Sequence, residues 1–158
     1  MHIPKEVVDV LAGLPVVGKP EQAFPLLTVD ASGFPHACLL SRAELDTDVD
    51  ELLIAITSRR TRENLRRDGR ATLLAVEKVT AHSLKLIVVR LVEVDGRLGA
   101  ALAVDQHLAD SMALALDPIR YNPSADLVRE EGWAQSARCL EMLRATKLAS
   151  VDDAGPPV

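Results

Sequence analysis

Aromatic side chains are nearly missing from this 158-residue chain: Phe24, Phe34, Tyr121 and Trp133 are all it has. A flat ligand would therefore be gripped by aliphatic walls and backbone, with little ring stacking. Cysteine is scarce too. Cys38 and Cys139 lie far apart and form no CxxC or other close-spaced pattern, so they read as two reduced thiols of a cytoplasmic protein. Nowhere do eighteen apolar residues run uninterrupted, and MHIPKEVVDVLAG has no apolar run behind a basic start. A soluble cytoplasmic protein with no membrane partner is expected. Positive charge is in deficit. The formal net charge of −5 disfavours nucleic acid and anionic membrane, so any anion site must be local.

What is present suits one folded domain, expected over residues 1–150, with 151–158 a flexible proline-rich tail. Hydrophobic residues make up 48% of the chain and charged residues 26%, an ordinary globular balance. Pro4 and the spacing of Val7, Val10 and Leu11 predict a helix over residues 4–12, ended by Gly13. Three prolines and a glycine then make 14–25 an extended connection. Residues 24–30 and 34–43 are apolar and flank Asp30-Ala31-Ser32-Gly33, a hairpin pattern. An acidic loop over 44–51 leads into a strand over 52–57, then a short helix over 60–68 closed by Asp68-Gly69. Residues 70–78 and 83–94 are two further strands. Asp95-Gly96 directly after them predicts a sixth strand over 97–106, paired back onto the fifth. A helix competes there, because Leu98, Leu102, Leu108 and Met112 recur at roughly helical spacing. Ser124 caps a C-terminal amphipathic helix that runs to Lys147 and is bent at Gly132.

The residues from Thr57 to Arg70 carry six arginines against two acids inside an acidic protein. A strand ending at Thr57 before a helix starting near Arg60 would aim free amides and the positive dipole end at one spot. Ser58 or Thr61 adds a hydroxyl there, and Arg59, Arg60 and Arg62 add bidentate donors, a set suited to phosphate oxygens. The competing reading is a solvated cationic face paired with Asp46, Asp48, Asp50 and Glu51. Other chemistry is weakly signalled. His2, His36, His82 and His107 show no metal-ligand spacing, so no metal site is expected, and no GxSxG, Walker or GxGxxG pattern occurs. Cys38 sits mid-strand as a small hydrophobe, and Trp133 reads as a core or interface anchor.

The succession FPLLTVDASGFPHACLLSRAEL and ELLIAITSRRTRENLRRDGRATLLAV resembles the pyridoxamine 5'-phosphate oxidase superfamily of FMN-binding split barrels, over roughly residues 20–95. The resemblance implies a mainly β fold: a six-stranded antiparallel split β-barrel with a short helix after strand three and helices at both termini. It implies FMN at a homodimer interface and a flavin-dependent oxidoreductase of unspecified substrate. By position it assigns His36, Leu39, Leu40 and Ser41 to the flavin, Ile56 and Thr57 to the ring or ribityl chain, and Arg59, Arg60 and Arg62 to the phosphate. Ser83 falls where the partner subunit's contact would come. The family's substrate-binding Arg-x-His near the C-terminus has no counterpart, Arg138-Cys139-Leu140 standing there, which argues against pyridoxamine phosphate oxidation. The other reading the resemblance permits is a non-enzymatic or haem- or deazaflavin-binding dimeric module, with His36 or His82 as the candidate axial ligand.

Overall fold

A computed structural model describes residues 1–152. In chain order the elements are α1 (Lys5–Leu11), β1 (Glu21–Gln22), β2 (Phe24–Val29), β3 (Pro35–Leu40), β4 (Leu45–Asp48), β5 (Glu51–Ile56), α2 (Arg59–Asp68), β6 (Arg70–Glu77), β7 (Thr80–Val94), β8 (Arg97–Ser111), β9 (Arg120–Tyr121), α3 (Ala125–Glu130) and α4 (Trp133–Asp152). The main sheet has the order β3-β2-β6-β7-β8-β5-β4, and every neighbouring pair is antiparallel. It curls into a half-barrel. The strands β3 and β4 form its two edges, and only residues 41–44 separate them in the chain, so that short crossing closes one side.

Alternation decides which side chains fill the barrel. Leu26, Leu73 and Leu84 stand in register on β2, β6 and β7 and are fully buried, whereas Leu27, Thr72 and Lys85 beside them face out. Ile54, Ile56, Leu98, Ala100 and Leu102 continue the same core, and Ile3, Val7 and Leu11 of the α1 region pack onto it. A second, smaller core lies outside the sheet. Leu53, Ala55 and Ala101 meet Cys139, Leu140 and Leu143 of α4 there.

Two positions show why the chain turns where it does. Asp95 and Gly96 join β7 to β8 with φ of 52° and 76°, both left-handed, as a two-residue turn between twisted strands requires. The strand reading of 97–106 is therefore correct, and the strand runs on to Ser111. Gly33 at φ 86° closes the β2–β3 turn, where Asp30 Oδ1 accepts from the amides of Ser32 and Phe34 at 2.9 Å each.

Four expectations are corrected. The main sheet has seven strands instead of six, because Leu45–Asp48, read as acidic loop, pairs with β5 from Leu45↔Ile54 to Asp48↔Glu51. The extended connection over 14–25 holds one short element, β1, paired with β9. Helix α4 continues through Val151 and Asp152, the first two residues assigned to the tail; the rest of that tail, 153–158, lies outside the described residues. The bend at Gly132 is a break between α3 and α4, with Gly132 at φ 60°. Among the described residues no helix is long and apolar enough to cross a membrane.

Candidate functional site

Strand β5 ends at Ile56 and α2 begins at Arg59, leaving Thr57 and Ser58 as the link. Ser58 is the N-cap. Its hydroxyl oxygen accepts from the Thr61 amide at 3.4 Å and lies 3.1 Å from the Thr61 hydroxyl. At the other end Gly69, at φ 70°, donates its amide to the Leu65 carbonyl and stops the helix. Thr57, Arg59 and Arg60 are exposed around the N-terminus. Arg59 pairs with Glu63 at 2.8 Å on the open surface, and Arg60 makes no ion pair or hydrogen bond among the described residues. Arg62 is turned aside: its Nη1 donates to the Gly96 carbonyl at 3.0 Å, and its Nε is buried without a partner.

The acidic segment does not neutralise these arginines. Lys147 of α4 reaches Asp48, Asp50 and Glu51 at 3.2, 3.5 and 3.6 Å, Arg144 pairs with Asp46, and Arg90 clasps Glu51 through two bonds of 2.9 and 2.8 Å. The alternative drawn from the sequence, a cationic face paired with Asp46, Asp48, Asp50 and Glu51, is thereby replaced by a bond between that segment, α4 and β7.

Strand alternation divides the residues assigned to β3. Leu39 stands on the outer face at 54% exposure, while His36 and Leu40 belong to the inner face with Cys38. His36 lies opposite Thr28, and its Nε2 is buried without a hydrogen-bond partner. Burial pushes the Cys38 thiol above its ordinary range, with Thr61 pulling the other way, which keeps it a thiol. Ile56 is 1% exposed and packed in the barrel, so only its backbone is open to a ligand. Leu39, Leu40 and Ser41 do come together, along a cavity of about 200 Å³ shared with Glu44 and Tyr121.

Ser83 is elsewhere. It lies half-buried on the outer face of β7 between Leu74 and Leu108, on the sheet face that carries a groove of about 570 Å³ edged by Leu27, Val29, Arg70, Lys85 and Ile87. That groove meets α2 at Asp68, the opposite end from Arg59, and ten helical residues separate the two by about 15 Å. Within one protomer, Ser83 and the arginines do not share a site.

No protein-family model and no curated protein matches the chain. Solved structures do. HupZ of Group A Streptococcus superimposes with a TM-score of 0.54 at 14% identity, over 73% of this chain and 99% of that one. A conserved hypothetical protein from Mycobacterium tuberculosis gives 0.51 at 15% identity, over 69% and 84%. An FMN-binding protein from Syntrophomonas wolfei gives 0.50 at 12% identity, over 68% and 88%. The chain shares the fold of these solved structures, a curled antiparallel half-barrel with helices at both ends. At these identities the likeness is one of fold. Three residues that the sequence did not single out also shape this region. Asn64 holds α2 to β2, Glu44 is buried at the barrel seam, and Tyr121 stands beside it. Only Asn64 had a local signal, as a polar residue on the same helical face as Thr61 and Leu65.

Proposed function

We propose that the protein binds FMN, with the phosphate at the Ser58-capped N-terminus of α2 and the ring toward β3, as a flavin-dependent oxidoreductase. The observation that supports this reading is the unspent charge of the β5–α2 link. Arg60 is exposed without a partner among the described residues, Arg59 has only a solvated one, and the acidic segment that would quench them is bound to Lys147, Arg144 and Arg90. Helix-terminal amides beside free guanidinium groups suit a phosphate monoester. The fold shared with the FMN-binding protein of Syntrophomonas wolfei points the same way. Bound FMN would supply hydride or electron transfer at the isoalloxazine ring, and the chain's part is to hold and orient it.

The link is too open to enclose a flavin alone, so a second copy completes the pocket. Leu74 and Leu108 flank Ser83 as exposed apolar residues of the outer sheet face, with Ile87 exposed farther along β7, and a homodimer would cover them. The test is a fluorescence-quenching titration with FMN. Arg60→Ala is expected to weaken binding at least about tenfold, the worth of one charge-assisted hydrogen bond. Equal affinity of the variant, or no quenching by the wild type, would count against the assignment.

One observation favours a second reading, a haem-binding module. His36 Nε2 is buried with no partner, leaving a nitrogen free to ligate iron. Added haem would then give a Soret band that His36→Ala abolishes, and Arg60→Ala would leave it intact.

A further inference from the structure

The four residues that cross from β3 to β4 hold a carboxyl group inside the protein. The Ser41 amide donates to Glu44 Oε2 at 2.7 Å, the Glu44 amide donates to the Ser41 carbonyl at 3.0 Å, and the Ala55 amide donates to the Glu44 carbonyl at 2.9 Å. Backbone and side chain of Glu44 are therefore both fixed, and the residue is 7% exposed. It forms no ion pair among the described residues. The cavity of about 200 Å³ that it lines has Leu39, Leu40 and Leu127 as apolar walls and Tyr121 as a further lining residue. Among the described residues the Tyr121 hydroxyl is buried without a well-formed hydrogen bond, the Ser41 side chain being its polar neighbour. Glu131 adds a second carboxylate, and no lysine or arginine lines the space.

We propose that this cavity is a binding site for a small primary amine, with its ammonium group between Glu44 and Tyr121 and its hydrocarbon part on Leu39 and Leu127. An ammonium ion supplies three donors, and the cavity presents acceptors with no cationic side chain among its lining residues, the nearby Arg97 guanidinium being bonded to the Glu131 and Gly132 carbonyls. An anion would meet two carboxylates. No three potential metal ligands cluster among the described residues, which leaves an organic cation as the better match. The volume lies below the roughly 300–1,000 Å³ of sites for drug-sized ligands, so the occupant is small. Burial, with the charge of Glu131, holds Glu44 above the ordinary carboxylate range against the pull of the Ser41 amide and the smaller pull of Arg97, a cost that a bound cation relieves. A buried hydroxyl without a partner and a buried carboxyl without a counter-ion are each unfavourable alone. One ligand group satisfies both.

The inference does not rest on the flavin reading, although Leu39, Leu40 and Ser41 figure in both. Its readout needs no flavin. Purified full-length protein is titrated with benzylammonium, benzyl alcohol and benzoate by calorimetry, and by amide chemical shifts of Ser41 and Glu44. Benzylammonium is expected to bind at one site per chain, at least tenfold tighter than benzyl alcohol, with benzoate showing no saturable binding. Glu44→Gln is expected to lower benzylammonium affinity at least tenfold; the Gln carbonyl still accepts the Ser41 amide, so the melting curve stays cooperative. Tyr121→Phe, which removes one oxygen from the cavity, is expected to lower it several-fold. No saturable binding of benzylammonium to the wild type, benzoate binding as tightly, or undiminished affinity in both variants would overturn the proposal. Repeating the titration with FMN present separates the two readings, since amine binding without flavin quenching retains this one alone.

Discussion

The Asn64 side-chain amide donates to the Thr28 hydroxyl at 2.9 Å, and both residues are buried. This bond matters because α2 has little else to hold it: among its ten residues only Thr61, Asn64 and Leu65 are buried, and five are arginine. Arg67 adds bonds to the Val29 carbonyl and to Asn64 Oδ1. The arginine-bearing helix is thus seated on β2 largely by polar contacts.

Asn64→Ala leaves the Thr28 hydroxyl buried without its donor, at a cost of about 1–3 kcal/mol. The melting temperature is expected to fall by several degrees, and FMN affinity to fall with it although Asn64 touches no proposed ligand. Asn64→Ala combined with Thr28→Val, which removes both partners, should recover part of the loss. Thermal melts of the single and double variants decide this.

Gly99 lets α4 pack closely on the sheet. A Cβ there would lie 2.7 Å from Val92 Cγ2 and 2.8 Å from Cys139 Sγ. Gly99→Ala is expected to displace α4 and to destabilise the protein by about 1–3 kcal/mol, the usual cost of overpacking. Cys139 is fully buried in the wild type. Its reaction with a thiol reagent should therefore accelerate in the variant, and an unchanged rate would mean the helix yields without opening.

His82 and His107 share a hydrogen bond of 2.9 Å between Nδ1 and Nε2, with rings stacked at a 14° interplanar angle. Burial, and after it the neighbouring His107 ring, hold His82 below its ordinary value of 6.5, while Glu6 and Glu77 pull weakly upward. The neutral form is therefore favoured by folding. Its contribution to stability is present above pH 6.5 and is lost as pH falls below that value, because the unfolded chain takes up the proton more readily. The melting temperature is expected to drop between pH 7 and 5, and His82→Gln should flatten that slope.

Leu74, Ile87 and Leu108 are exposed on one face of the sheet. Light scattering is expected to show a dimer of about 34 kDa, twice the 17.1 kDa chain. Leu108→Glu, on that exposed apolar face, should give a folded monomer. If the flavin pocket is shared, FMN affinity should disappear in the same variant.

Much of the fold was legible along the chain because its signals are local. The Asp95-Gly96 pair meets the left-handed requirement of a tight hairpin, and Ser58 and Gly69 bound α2 by capping it. Strand β4 was hidden for a local reason as well. Its turn to β5 places Val49 at φ 54°, a conformation β-branched residues rarely adopt, so nothing in Asp48-Val49-Asp50 advertises a hairpin. The acids around it read as solvated loop, yet half-buried Lys147 and Arg90 gather them from distant elements.

Sequence alone determined the hairpins at Gly33 and Asp95-Gly96, the ends of α2 and the cluster of arginines, since each depends on residues within one or two turns of the backbone. Tertiary structure decided which charges are already spent and which polar groups are stranded inside. Glu44 faces Tyr121 only because the chain passes from one edge of a curled sheet to the other at residues 41–44 and β9 later pairs beside it. Burial and the pairing of charges depend on distance in space, and closure of the barrel set those distances.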